Sequence, residues 1–221
     1  MRAVQSGLLV GALCALCTVL LVRRGMGRHR VVGLGPADRV TLVRAVLSCG
    51  VAALAAAGFA GAAARPALVT VAAVALALDW VDGRVARRTG TASAFGAAFD
   101  MEVDAFLVLV LSVDVAATLG AWVLLAGAAR YLLLVACWWQ PWLGRAMPTR
   151  YWAKVVAAGQ GVVLTVAAAD LLPGSVATGG VTAALGALAI SFGHQVWWLR
   201  SHRAVDVVTE VDAHPVPAVA A

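Results

Sequence analysis

Long apolar runs recur along this chain and leave it few folds. They occupy six stretches, residues 40–63, 66–82, 97–118, 119–138, 153–172 and 179–199. About 20 apolar residues in a helix cross the roughly 30 Å hydrocarbon core of a bilayer, and a helix satisfies its own backbone hydrogen bonds there. The chain is 62% hydrophobic and 13% charged, whereas soluble domains are about half apolar and about a quarter charged. We therefore predict an all-α polytopic membrane protein with a six-transmembrane-helix bundle.

The chain divides into three predicted regions. Residues 1–35 hold an apolar segment and a basic linker, residues 36–202 form the membrane domain, and residues 203–221 form a tail that we expect to be disordered. The apolar run at 7–22 would be roughly 24 Å long as a helix, which is short for a span. It is either a short extra span or a helix in the membrane interface. It has no cleavage pattern of a signal peptide.

The positions of lysine and arginine predict the orientation of the bundle. Fourteen of the 17 basic residues flank one set of span ends, whereas only Arg2 and Arg65 flank the other. Because cytoplasmic loops carry an excess of basic residues, the first set is predicted to be cytoplasmic. The net charge of +6 is therefore a topology signal. A nucleic-acid partner is not expected, since the basic residues are dispersed and form no soluble groove.

Four aspartates lie at the cytoplasmic ends of two adjacent predicted spans. Asp79 and Asp82 end the second span, and Asp100 and Asp104 begin the third. Residues three or four apart share one face of a helix, so the hairpin brings both pairs to one depth. Carboxylates at membrane depth usually pair, line a cavity or hold ions. Oxygen ligands suit Mg²⁺ or Mn²⁺, and two such ions commonly clamp a phosphate.

The residues between these aspartates suit phosphate binding. Gly83 and Gly96 would let the backbone approach a ligand closely. Arg87 can pair with phosphate oxygens through its planar guanidinium, and Ser93 offers a hydroxyl. Each has a structural alternative, because glycines also pack membrane helices and arginines also anchor spans at the interface.

Taken together, the stretch reads D-x-x-D-G-x-x-A-R, eight residues, then G-x-x-x-D-x-x-x-D. It resembles the signature of the CDP-alcohol phosphatidyltransferase family at every defined position, and the likeness extends over about residues 36–200. The segment PADRVTLVR is similar to the family's usual entry into the first span, with Asp38 where an asparagine is common.

The resemblance implies transfer of a phosphatidyl group from CDP-diacylglycerol to an alcohol, with release of CMP. It implies two Mg²⁺ or Mn²⁺ ions, a cytoplasmic active site in the cell membrane, and a homodimer. The metal ligands would be Asp79, Asp82, Asp100 and Asp104, and Asp104 would also be the general base. Donor contacts would come from Gly83, Arg87 and Ser93, with Thr41 and Arg44 as further candidates.

The acceptor is left open by the sequence. Arg145, Arg150 and Lys154 precede the fifth span and could bind a phosphorylated alcohol such as glycerol phosphate or inositol phosphate; equally, they could anchor the span. The spacing from Lys154 to Gln160 is similar to that of glycerophosphate-using relatives, but Val156 replaces their second lysine. Phosphatidylglycerol, which would give cardiolipin, is an alternative acceptor.

Two other functions compete with this interpretation. A cation or proton transporter would distribute its charges along a path through the bilayer, whereas these aspartates lie at one side. A catalytically dead relative would have no chemical reason to keep all four carboxylates. Elsewhere in the spans, we predict that Asp114 and Arg130 form a buried structural pair.

Overall fold

The computed structural model describes residues 2–29, 33–89, 93–140 and 151–201. In chain order these residues form the helices α1 (Arg2–His29), α2 (Pro36–Phe59), α3 (Arg65–Thr89), α4 (Ala94–Leu119), a 3₁₀ turn (Ala121–Val123), α5 (Leu124–Trp139), α6 (Tyr151–Ala168) and α7 (Gly174–Ser201). The predicted all-α membrane fold is confirmed. The tail 203–221 lies outside the described residues.

Five stretches within the described residues are long and apolar enough to cross a membrane. They are Arg2–Arg28, Pro36–Phe59, Arg65–Val85, Ala121–Trp139 and Gly174–Ser201. The N-terminal helix has 28 residues, or about 42 Å at the usual rise, because polar residues extend it beyond the apolar run at 7–22. The apolar part of α6, Val155–Ala168, is shorter.

Helix α4 corresponds to the predicted third span. It is not among the five stretches above, because it carries too many acidic residues to be identified as a span by composition alone. It packs against α1, α2, α5 and α6. This central position explains its sequence, because ionisable groups in a membrane helix usually face the interior of the bundle. Ser93 caps its first turn by accepting a hydrogen bond from the Gly96 N–H at 2.8 Å. It ends at Gly120, whose φ of 106° favours glycine.

Two apolar clusters hold the helices together. The main core is formed by α2, α3, α4, α5, α6 and α7, and small side chains such as Ala72 and Ala75 are fully buried in it. The smaller cluster, which we call the N-terminal core, consists of Val22, Ala45, Phe95, Phe99 and Val103. Small residues let membrane helices approach closely, so dispersion contacts replace the hydrophobic driving force that lipid cannot supply.

Two details differ from the sequence-based prediction. Arg130 of α5 does not pair with Asp114, because its Nη2 donates to Glu102 Oε1 of α4 at 2.7 Å. The register of the α4–α5 hairpin therefore places Arg130 beside the half of α4 that carries Asp100 and Asp104. Helix α7 also begins at Gly174, inside the predicted loop. The Pro173 carbonyl accepts hydrogen bonds from Val176 and Ala177 and starts the helix there.

The contact between α4 and α5 at Gly127 leaves no room for a side chain. A Cβ added at Gly127 would lie 2.6 Å from Leu109 Cα and 3.0 Å from Ser112 Oγ. Since the nearest atom is backbone, Gly127→Ala must separate the two helices. We expect a loss of about 1–3 kcal/mol in unfolding free energy, measured by thermal unfolding in detergent.

Gly186 on α7 is the matched control, because a Cβ there meets nothing within 4 Å. Gly186→Ala should leave the unfolding temperature unchanged or raise it slightly, as alanine favours a helix. Equal losses for both variants would contradict the close α4–α5 contact.

Candidate active site

Three of the predicted metal ligands meet between the C-terminal half of α3 and the N-terminal half of α4. Asp79 of α3 and Asp100 and Asp104 of α4 each offer a carboxylate oxygen, and these oxygens all lie within 4.8 Å of one another. Asp100 and Asp104 are one helical turn apart, so they share a face of α4. The two helices thus form a single acidic cluster, as the hairpin argument predicts.

Arg44 of α2 lies at the centre of this cluster. Its Nη2 contacts Asp79 Oδ1 at 3.0 Å, and its guanidinium also bonds Asp100 Oδ1 through Nη1 and Asp104 Oδ1 through Nη2. The Arg44 side chain is only 1% exposed, whereas the three carboxylates are 34–43% exposed. The Arg44 guanidinium therefore lies at the buried end of the site, and the three carboxylates lie at its more exposed end.

The backbone of the helices also fixes Arg44 in this position. Its Nε donates to the Ala75 carbonyl of α3 at 3.3 Å, so its side chain contacts α3 and α4 together. A buried arginine is stable only when its donors are satisfied. The predicted role of Arg44 was a donor contact; in the structure its neighbours are carboxylates, and it cancels part of their mutual repulsion.

The donor set fits a hard divalent cation. Carboxylate oxygens are the ligands that Mg²⁺ and Mn²⁺ prefer, and the described cluster offers three of them. Each ionised carboxylate has two oxygens and about four lone-pair directions. The acids can therefore bond Arg44 and still ligate a metal ion.

The first turn of α4 packs against the start of α2. Asp38 is 5% exposed, and its Oδ2 accepts a hydrogen bond from the Gly35 N–H at 2.9 Å. A Cβ at Gly96 would overlap Asp38 Oδ1 and lie 3.1 Å from Ser93 Oγ. Gly96 is predicted to leave space for a ligand, but in the structure the Asp38 carboxylate occupies that space. Ser93 remains exposed, and its hydroxyl proton can still be donated.

Other predicted residues stand as follows. Thr41 is buried on α2, and its Oγ1 donates to the Ala37 carbonyl at 3.3 Å. Gly83 is half-buried on α3. The predicted residues whose side chains lie outside the described part of the structure are Asp82 and Arg87 on α3 and Lys154 on α6; Arg145 and Arg150 lie outside the described residues altogether.

Sequence reasoning missed two features of this region. Glu102, between Asp100 and Asp104 in the sequence, pairs with Arg130. An arginine in an apolar run signals such a partner, but not which acid it is. Gln160 of α6 is 3% exposed, and both of its amide atoms have no hydrogen-bond partner among the described residues. The next residue, Gly161, packs on Leu76, one helical turn from Asp79.

The chain matches the family model of CDP-alcohol phosphatidyltransferase over residues 36–197. Searches of the curated proteins and of the solved structures gave no match. Because the matched region is well over half of the chain and contains the acidic cluster, this protein belongs to the CDP-alcohol phosphatidyltransferase family. It is a membrane transferase of lipid biosynthesis, from a family that transfers a phosphatidyl group from a CDP-alcohol to an alcohol.

The position of Arg44 leads to a testable electrostatic prediction. In the Arg44→Met variant, the three neighbouring carboxylates lose the cation that pairs with them. Because the acids are partly exposed, we expect a loss of about 1–3 kcal/mol in unfolding free energy in EDTA. Millimolar Mg²⁺ or Mn²⁺ should restore much of this stability.

Arg65→Met serves as the matched control. The Arg65–Asp170 pair, at 2.8 Å, is 41% and 63% exposed, so its loss should cost no more than about 1 kcal/mol and should not respond to divalent ions. An Arg44→Met protein as stable in EDTA as the native chain would contradict the central role of Arg44.

Proposed function

We propose that this protein transfers the phosphatidyl group of CDP-diacylglycerol to an alcohol, releases CMP, and requires Mg²⁺ or Mn²⁺. The observation that carries the proposal is the convergence of Asp79, Asp100 and Asp104 within 4.8 Å, inside the region that matches the family. The catalytic domain would comprise residues 36–202. The multi-pass protein would lie in the cell membrane with its site facing the cytoplasm.

The acidic residues would divide the work between them. Asp79, Asp82 and Asp100 would bind one ion, and Asp104 would contribute to a second. When bound, the ions would neutralise the diphosphate and stabilise departing CMP. Asp104 would accept the proton of the acceptor hydroxyl, whose oxygen bonds to the phosphorus that carries diacylglycerol while the bond from that phosphorus to the CMP oxygen breaks.

Donor recognition would use the residues around the acids. Ser93 at the start of α4 would donate its hydroxyl to a phosphate oxygen, close to the positive end of the helix dipole. Gly83 would admit the nucleotide and Arg87 would pair with the diphosphate. Thr41 and Arg44 are buried on α2. They would therefore not contact the donor directly but would influence its binding through the carboxylates of the site.

The acceptor would enter beside α6. Gln160 is buried there, and its amide has no hydrogen-bond partner among the described residues. A buried amide that lacks partners calls for a water or a ligand. A hydroxyl-rich acceptor could satisfy it, while Arg145, Arg150 and Lys154 would bind the phosphate of glycerol phosphate or inositol phosphate. Phosphatidylglycerol, giving cardiolipin, is the alternative. A homodimer is expected from the family resemblance.

The first test of the proposal is the Asp104→Asn variant. Purified protein in detergent is incubated with CDP-diacylglycerol, Mn²⁺ and a panel of glycerol phosphate, inositol phosphate and phosphatidylglycerol, and CMP release is followed. Loss of the general base should lower kcat by about 10²–10⁴-fold. EDTA should abolish turnover of the native protein, and the most active panel member identifies the acceptor.

Glu102→Gln is the matched control for Asp104→Asn. Glu102 is on the same helix but is paired with Arg130, so this variant should lose stability without losing the chemical step. Metal-independent CMP release, or an Asp104→Asn protein with native kcat, would refute the proposed mechanism.

The second test concerns Gln160. In Gln160→Leu, an unpartnered buried amide is replaced by an apolar side chain of similar size, so the free energy of unfolding should hold or increase. If the amide binds the acceptor, the KM for the acceptor should rise about tenfold, as for a lost hydrogen bond, with the KM for the donor unchanged. A fall in stability with both KM values unchanged would mean that Gln160 is structural.

A further inference from the structure

Helix α1 lies outside the matched region 36–197, yet it packs along α2 from Ala45 to Ala57. The two helices are antiparallel: a Cβ at Gly7 would lie 2.9 Å from the Ala53 carbonyl oxygen, and Thr18 Oγ1 lies 3.6 Å from Cys49 Sγ. Glycine at the contact allows the backbones to approach closely. The close fit between the two helix surfaces therefore fixes the register of α1 against α2.

The far end of α1 reaches the helix that carries the catalytic acids. A Cβ at Gly25 would lie 2.7 Å from Phe95 Cε2 of α4, and Val22 packs with Phe95 and Phe99 in the N-terminal core. The two phenylalanine rings stack with centroids 5.9 Å apart. The face of α4 that packs against α1 thus includes Phe99, the residue immediately before Asp100.

The rotation of α4 about its axis determines where its acidic side chains point. Phe95, Phe99 and Val103 are buried on one stripe of α4, and Asp100 and Asp104 each follow a residue of that stripe. Rotating α4 about its axis would move both carboxylates relative to Asp79, which lies on α3. Lipid chains in place of α1 would fill the space but would not fix that rotation, since they have no defined shape.

We propose that α1 is a positioning element of the active site: its contact at Gly25 with Phe95 sets the rotation of α4 and hence the spacing of Asp100 and Asp104 from Asp79. This inference rests on the proposed metal site. It assigns a role to a segment that the family match does not cover, and Gly25 and Phe95 act only through the carboxylates.

The decisive comparison is between two glycines of α1. Gly25→Leu would push on Phe95, whereas a Cβ at Gly27 meets nothing within 4 Å, so Gly27→Leu is the matched control. The full-length protein in detergent is titrated with Mn²⁺ and bound ion is measured by electron paramagnetic resonance. Overpacking at Gly25 should weaken Mn²⁺ binding by about tenfold, with no change for Gly27→Leu.

A metal-free measurement accompanies the titration. Hydrogen exchange of residues 94–104 in EDTA should be faster in Gly25→Leu than in Gly27→Leu, because the first turns of α4 lose their support. Gly25→Ala, a smaller change, should show the same effects more weakly and covers the case in which the leucine variant does not fold.

The double variant Gly25→Leu with Phe95→Ala tests the route of the effect. Removing the ring makes room for the leucine, so Gly25→Leu should weaken Mn²⁺ binding less in the Phe95→Ala background than in the native one. Equal losses in the two backgrounds would overturn the proposal, as would equal Mn²⁺ affinities and exchange rates for Gly25→Leu and Gly27→Leu.

Failure of the proposed function and failure of the positioning role of α1 give different results. If the native protein binds no Mn²⁺, the proposed metal-dependent function fails, and the exchange rates still decide whether α1 supports α4. If the native protein binds Mn²⁺ and the Gly25 variants match their control, the function stands and the positioning role is refuted.

Discussion

The ion pairs between Arg44 and three aspartates are the interaction on which the rest of this structure depends. A guanidinium that is 1% exposed joins α2 to α3 and α4, so the same contact fixes the helices and assembles the site. Replacing a buried ion pair by apolar groups is often neutral or stabilising. The proposed function gives a chemical reason for these ion pairs, because carboxylates that hold cations would have to be ionised and close together.

The apolar runs were sufficient to predict the all-α membrane fold, because span length and backbone satisfaction leave few alternatives in a bilayer. The spacing of the aspartates was sufficient to predict that Asp79, Asp100 and Asp104 would meet, since a hairpin of two helices brings one face of each to one depth. Both predictions depend on local periodicity, which a sequence displays directly.

Partners between distant helices could not be predicted in the same way. Arg130 was assigned to Asp114 by its position in the hairpin, but a helix can turn about its axis without changing its apolar pattern, and the packing joins it to Glu102. The close approach of Asp38 to Gly96 and the lack of a partner for the Gln160 amide among the described residues have the same origin. Small buried residues determine how the helices pack in these contacts. Because the chain has many alanines and glycines, its sequence is compatible with many registers between neighbouring helices.

Charge balance links this packing to the proposed reaction. If all three described carboxylates are ionised, they and Arg44 leave two negative charges. These charges would repel a diphosphate at short range, the more so because a partly buried site screens charge poorly. In the proposed function, two divalent ions would reverse the sign of the site and make it a binding site for the donor. In the proposed function the cations must therefore bind before or together with the nucleotide. Before those ions bind, the permanent charge of Arg44 would limit the repulsion among the carboxylates.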